Sequence, residues 1–440
     1  MRILHIFHHD NLKNGVDKTT ATLIVALKKL GVDSLASVPA FGEVTEFLEV
    51  HGIQYRILPF RCCSSLAERA RLRFFADASA QQELLRSLVR AYSPDLLHIN
   101  TGHLLHAGLA AAQCQLPTVW HIHAPFPADS LRYEDSVGTD GYAWLLERLS
   151  TLVIGVSEDV CRSLTEYLPH QRVRLLYNGI DGDAVIQAAA DNPVDIRQAL
   201  GIPRPAKLVI GVGRISAQKD FAAFARVAGL VSRTQPDTYF LIAGPKQETE
   251  AVLRLDQEID RLQLGERVFL LGPRSDIPGL IAQADLLLST ANYEGQGLAA
   301  LEAMALGKPV VAMACQGLRE CITHEHDGLL VNPGDEAGAA QAVQRLLDDP
   351  ELARQLGANG RRSVQGRFSS NNYARQFLTI AEAAVSQGPA PITPRELALI
   401  QGLLRQIDIA HQRLASFEQQ TIVQQIKLFL WKQFHRLRWR

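Results

Sequence analysis

The chain is predicted to be an α/β protein made of two doubly wound domains, and three observations carry that prediction. Short, uninterrupted apolar runs alternate with longer segments of helical period, the pattern of βαβ units whose parallel strands are buried on both faces. The alternation comes in two successive series, separated by a stretch rich in turn dipeptides. The length of 440 residues exceeds one ordinary core and fits about two domains.

In the first series RILHIF, DLLHIN, PTVWHI and TLVIGV read as strands. Thr20 to Leu30 reads as a helix, with Leu23, Ile24, Leu27 and Leu30 on one face and a stop at Gly31. Ser157 and Glu158 read as a helix N-cap turn without chemistry. The join falls near LLYNGIDGD, Leu175 to Asp183, where Asn-Gly and Asp-Gly mark turns. The second series begins at Lys207 with KLVIGVG, followed by TYFLIAG, RVFLLG, ADLLLST and KPVVAM. VSQGPAPITP, Val385 to Pro394, ends any helix with three prolines, and a helical tail over 391–440 follows. No internal repeat is visible.

Composition excludes several classes. With 47% hydrophobic and 21% charged residues the chain is globular, and a formal net charge of −1 leaves no nucleic-acid footprint. Six scattered cysteines form no CxxC or zinc spacing, so reduced thiols and a cytoplasmic setting are expected. The N-terminus MRILHIFHHD is a first strand rather than a signal peptide, and no apolar run is long enough to span a membrane.

Two stretches carry chemistry. In GVGRISAQKDF, Gly211 to Phe221, a strand ends at two glycines and then supplies Arg214 and Lys219. The glycines let a ligand approach the backbone, and two cations suit a diphosphate. Ser216 stands where GxGxxG needs a third glycine, and the loop is not a Walker A loop. In ADLLLSTANYEGQGLAALEAMALGKPVVA, Gly295 and Gly297 open a helix whose first N–H groups favour anions. A carboxylate there would repel phosphate, so Glu294 suits hydroxyl groups, while Glu302 lies further into the same helix. Phosphates and hydroxyls together describe a sugar nucleotide. Taken singly, both stretches also fit strand–turn–helix segments with solvated charges.

In combination these residues resemble the retaining family 4 glycosyltransferases of GT-B fold. The resemblance covers roughly residues 1–385 and is strongest from Gly211 to Asp335. GRISAQK resembles the family's Gly-Arg…Lys motif, EGQGLAALEAMALGKPVVA its Glu-seven-Glu motif, HDGLLVNPGD the stretch after it and LLYNGID its interdomain segment. The resemblance implies two Rossmann-like domains facing across a cleft. Residues 1–183 would form the acceptor-side domain, completed by a helix at 368–386, and 184–367 the nucleotide-sugar domain. It implies that Arg214 and Lys219 hold the donor diphosphate, that Glu294 bonds the donor sugar and that Glu302 bonds the ribose. Backbone groups of Gly295, Gly297 and Leu298 would complete the cradle. Transfer would go from a UDP- or GDP-sugar to a glycan or lipid-linked acceptor hydroxyl, with retention and without a metal or further cofactor.

Some positions depart from the family. Gln296 replaces a common Phe and implies a more polar sugar pocket. Asn14-Gly15-Val16-Asp17 stands where a Gly-Gly loop and Val-Glu are usual, leaving Gly15 as the phosphate-approach residue. His123, at the end of PTVWHIH, matches a His that faces the donor sugar; structural hydrogen bonding by it or His121 is the alternative. His121 and His123 share one strand face, but no third ligand is indicated and no metal is expected. His98 is expected to line the cleft, His103 and His106 to lie in a loop or helix, and Glu320 to support the donor site. Acceptor selection falls to loops such as 60–75 and 124–142.

The tail is a separate question. From Val423 to Arg440 there are five basic residues and no acidic one, and an apolar stripe from Ile422 to Leu437 includes Ile426, Phe429 and Phe434. Residues 422–440 therefore suit an anionic membrane surface, which would put the protein on the inner face of the membrane. Leu397, Ile400, Leu404 and Ile407 begin a heptad-like pattern that keeps self-association or docking on the body open. Two other functions stay open as well, a GT-B sugar-nucleotide epimerase and a non-catalytic scaffold.

Overall fold

The structure, a computed structural model, describes residues 1–13, 15–59, 81–102, 104–126, 134–191 and 194–402. It divides into two compact units, the first containing Met1–Leu176 and the chain from Tyr373 on, the second Tyr177–Asn372. The turn dipeptides Asn178-Gly179 and Asp181-Gly182 both fall inside the second unit.

The first unit is built on seven parallel strands: β1 Arg2–Ile6, β2 Asp33–Val38, β3 Gln54–Ile57, β4 Leu96–Ile99, β5 Thr118–Ile122, β6 Leu152–Gly155 and β7 Val173–Leu175. Their order is β3-β2-β1-β4-β5-β6-β7. The second unit has six parallel strands: β8 Lys207–Val212, β9 Thr238–Ala243, β10 Val268–Gly272, β11 Leu286–Ser289, β12 Val310–Met313 and β13 Leu329–Val331. Their order is β10-β9-β8-β11-β12-β13. Each sheet reverses direction of winding once, between β1 and β4 and between β8 and β11. Ligands of doubly wound sheets bind outside the carboxyl ends of the strands at that switch point.

Every strand read from an apolar run is present. The four that were not read are β2, β3, β7 and β13, and each has a physical reason. β3, β7 and β13 are short edge strands. β2, DSLASV, lies inside the sheet, yet its buried Ser34 is hydrogen-bonded to His5 on β1, which removes its apolar signature. The first helix, Gly15–Lys29, buries Leu23, Ile24 and Leu27 as the periodicity requires, and Ser157 caps Glu158–Thr165 by accepting from the Val160 N–H.

The helix Ser370–Gln387 comes from the far end of the chain and covers the first sheet. Tyr373, Phe377, Ala381 and Ala384, three or four residues apart, pack with Ile3, Leu96, Val119 and Ile154. Residues 394–402 continue as a helix opened by a capping box: Thr393 Oγ1 accepts from Glu396 N–H, and Glu396 accepts from Thr393 N–H. Ile392 and Ile400 are buried in the core of the first unit, with Leu397 packed against it. The start of the heptad-like pattern therefore docks on the body. Leu404, Ile407, the basic stretch 422–440, loop 60–75 and part of 124–142 lie outside the described residues. Among the described residues no helix is long and apolar enough to cross a membrane.

Candidate functional site

The switch point of the second unit collects the predicted residues. β8 ends at Val212, and Gly213 adopts φ 151°, where an added Cβ would lie 2.7 Å from Lys219 Cε. The loop then turns into the helix Phe221–Ser232 through Asp220, a non-glycine residue at φ 43° whose carboxylate caps Ala223 N–H. That conformation costs energy and is held by its surroundings. Thr290 Oγ1, at the end of β11, donates to the Asp220 carbonyl at 2.9 Å. Asn292 N–H donates to the Gln218 carbonyl at 2.9 Å and its side chain to the Ala217 carbonyl at 2.9 Å. Loops 213–220 and 290–294 are thus stitched into one rigid rim.

On this rim Lys219 Nζ donates to Glu294 Oε1, with both side chains largely enclosed. The sequence assigned these two residues to different parts of a ligand; the structure makes them one ion pair. Arg214 is exposed, its guanidinium steadied by Gln218 Oε1 at 3.1 Å. Gly297 takes φ 78° and precedes the helix Leu298–Ala305, which has no side-chain cap. The first intrahelical bonds to the Gly297 carbonyl come from Ala300 and Leu301, so the N–H groups of Leu298 and Ala299 lie ahead of them. That end suits an anion. A small depression there is lined by Lys219, Thr290, Glu294, Gly297 and Leu318 among others. Gly295 adjoins it, while Glu302 is buried further along the helix, 7% exposed.

One expectation is corrected here. Gln296 does not make a sugar pocket more polar, because its amide is buried and pairs twice with the backbone of Asn178: Oε1 accepts from N–H at 2.6 Å and Nε2 donates to the carbonyl at 3.0 Å. Glu320 bonds the Tyr177 hydroxyl, which burial and then the carboxylate push up to about 12. Arg367 lies over the Tyr177 and Phe368 rings, 4.7 Å from each centroid. Glu320 therefore belongs to a cluster that fastens the entering and leaving segments of the second unit, where Ile180 and Ser369 also form a bridge.

In the first unit, Gly15 is the first residue of the helix after β1. Fully buried Asp17 pins the preceding loop: Oδ1 accepts from the N–H groups of His8 (3.1 Å) and His9 (3.4 Å), and Oδ2 bonds His9 Nδ1 at 3.0 Å. Among the described residues, His8, His9 and Asp17 are the one group whose ligand atoms converge closely enough for a metal, within 4.8 Å. Both Asp17 oxygens are engaged in holding the loop.

His98 does not line an opening. It is fully buried in a row of imidazoles across β1, β4 and β5, with His5 Nδ1 to His98 Nδ1 at 3.0 Å and His98 Nε2 to His121 Nδ1 at 3.3 Å. Burial pushes the His5 imidazole down to about 3 and holds His98 and His121 well below the ordinary value. His106 is buried in the helix Leu105–Gln113, and His103 lies outside the described residues. His123 stacks on His121 with centroids 4.4 Å apart and bonds Asn100 Oδ1 through Nε2 at 3.1 Å. Sequence reasoning missed Asn100, Gln218 and Thr290; a polar residue just past a buried strand was the available signal for Asn100 and Thr290.

Residues 13–184 match the model described as Glycosyltransferase Family 4, and residues 194–363 match the model described as Glycosyl transferases group 1. A lipopolysaccharide core biosynthesis glycosyltransferase of Rhizobium meliloti is 32% identical over 195 residues, 44% of this chain and 55% of that protein. The N-acetyl-alpha-D-glucosaminyl L-malate synthase of Bacillus anthracis is 30% identical over 236 residues, 52% of this chain and 59% of that protein. These matches thus span little more than half of each relative. Anabaena HepE, solved with UDP and glucose, superimposes with a TM-score of 0.71 at 23% identity, covering 87% of this chain and 100% of that one. The chain has the GT-B glycosyltransferase fold, one of its halves matching each of two glycosyltransferase domain families.

Proposed function

We propose that the protein is a retaining glycosyltransferase that moves a sugar from a nucleoside diphosphate to an acceptor hydroxyl in assembly of cell-envelope polysaccharide or glycolipid. The observation that carries this reading is the rim at the switch point of the second unit, where Lys219 and Glu294 meet beside the uncapped helix start at Gly297. As the sugar leaves, negative charge grows on the diphosphate. Lys219, exposed Arg214 and the N–H groups of Leu298 and Ala299 stabilise it there. Releasing Lys219 to the phosphate frees Glu294 to accept hydrogen bonds from sugar hydroxyls. Glu302 reads the ribose, and Gly15 and His123 act from the first unit, on the phosphate and the sugar.

No protein base is required if the leaving phosphate takes the acceptor proton, and no metal or further cofactor enters the reaction. The donor is a UDP- or GDP-sugar. Residues 422–440 would rest on an anionic membrane surface on the cytoplasmic side, or pair copies of the chain, bringing the enzyme to a lipid-linked acceptor. Incubation with UDP- and GDP-sugars, an acceptor panel and EDTA, with product followed by the coupling of its anomeric proton, tests this. Retained configuration at an undiminished rate is expected; inverted product or a requirement for added metal contradicts it. Donor interconversion without acceptor would instead reveal an epimerase.

A further inference from the structure

Asn100 sits just past the end of β4 and is completely buried. Its Nδ2 donates to the carbonyl of Val16, second residue of the Gly15 helix, at 3.2 Å. A carbonyl only accepts, so the amide is oriented with Nδ2 toward Val16 and Oδ1 toward His123. Oδ1 also only accepts. His123 Nε2, 3.1 Å away, must therefore carry the proton. Burial brings the His123 imidazole down to about 3, which keeps it neutral and leaves Nδ1 as a bare lone pair. Among the described residues Nδ1 has no hydrogen-bond partner.

The ring is also held from its face. His123 stacks on His121 at an interplanar angle of 26°, and His121 is anchored by His98, His98 by His5 and His5 by Ser34 at 3.3 Å. We propose that Asn100 is a positioning residue that locks His123 as its Nε2–H tautomer, so that Nδ1 accepts a hydrogen bond from a hydroxyl of the sugar being transferred. The hydroxyl contact rests on the glycosyltransferase reading; the lock does not. One consequence is selective: the position rewards a sugar that presents an O–H there and disfavours a deoxy or fluoro analogue, since fluorine cannot donate.

The test uses the full chain labelled with ¹⁵N-histidine, His123 being assigned by the signal lost in His123→Gln. Long-range ¹H–¹⁵N spectra should show a pyridine-type Nδ1 and a pyrrole-type Nε2. Asn100→Asp keeps the shape and the acceptor but places a carboxylate on Nε2–H, which favours imidazolium. Its His123 should titrate nearer neutrality. Its kcat should fall about tenfold at pH 6 and recover toward pH 8.5, as expected for one lost hydrogen bond. A merely structural role would not produce that recovery. Asn100→Leu should mix the two tautomers. The lock is overturned by a pyrrole-type Nδ1 in the wild type, or by an unchanged titration in Asn100→Asp, which serves even if Asn100→Leu misfolds. A wild-type rate for His123→Gln with the tautomer intact overturns the sugar contact alone.

Discussion

The two units share one architecture and handle polar groups in opposite ways. The first buries neutral imidazoles: His5, His98, His106 and His121 are all fully enclosed. The second has His324 and His326 only, both exposed, and its switch point holds instead an ion pair, an exposed guanidinium and an uncapped helix start. The doubly wound sheet supplies a location, the switch point, while the residue types around it decide what can be recognised there. The histidine row hydrogen-bonds within the protein; in the second unit the exposed Arg214 stands in the same loop as Lys219 of the enclosed Lys219–Glu294 pair.

Acid should separate the units most strongly. Burial pushes His5 and His106 down to about 3 from 6.5 and lowers His98 and His121 as well. Between those values the unfolded chain binds protons that the native unit does not. This stabilisation is complete above pH 6.5 and is lost as pH falls toward 3. Each such histidine removes up to about 1.4 kcal/mol per pH unit. Hydrogen exchange at pH 7 and pH 5 should show the first unit opening first; equal opening of both would contradict this.

Next in size is Lys219→Ala. On the proposed reading, losing one donor to the leaving group should lower kcat/KM by about 10²–10³. It also leaves Glu294 enclosed without its partner, which costs about 3 kcal/mol. Adding Glu294→Ala should recover stability in urea melts without recovering rate. Recovery of both would mean that the pair serves the fold alone.

A smaller effect is expected for Gln296→Leu. It strands the Asn178 N–H and carbonyl and should cost about 1–3 kcal/mol, with sugar preference unchanged on a donor panel. A changed donor preference would return Gln296 to the sugar pocket.

Much of the fold was legible because strands buried on both faces leave continuous apolar runs such as KLVIGV and LLLS. β2 was not, since Ser34 is there to partner His5, and neither residue announces the other across 29 positions. At the site, Arg214, Lys219, Glu294 and Gly297 were legible as local motifs. The pairing of Lys219 with Glu294 spans 75 residues and was not. Gln296 was misread for the same reason: its partner, Asn178, lies far away in the chain and leaves no local trace. Asn100 follows that rule, since its role exists only through Val16 and His123.

On the proposed reading, a nucleoside diphosphate binds at the switch point of the second unit. Hydrogen exchange of the full chain with UDP and with GDP tests it most directly. One of them is expected to slow exchange in segments 211–221 and 290–302, and Lys219→Ala to abolish the effect at the same concentration. Protection elsewhere, or none with either nucleotide, would contradict it.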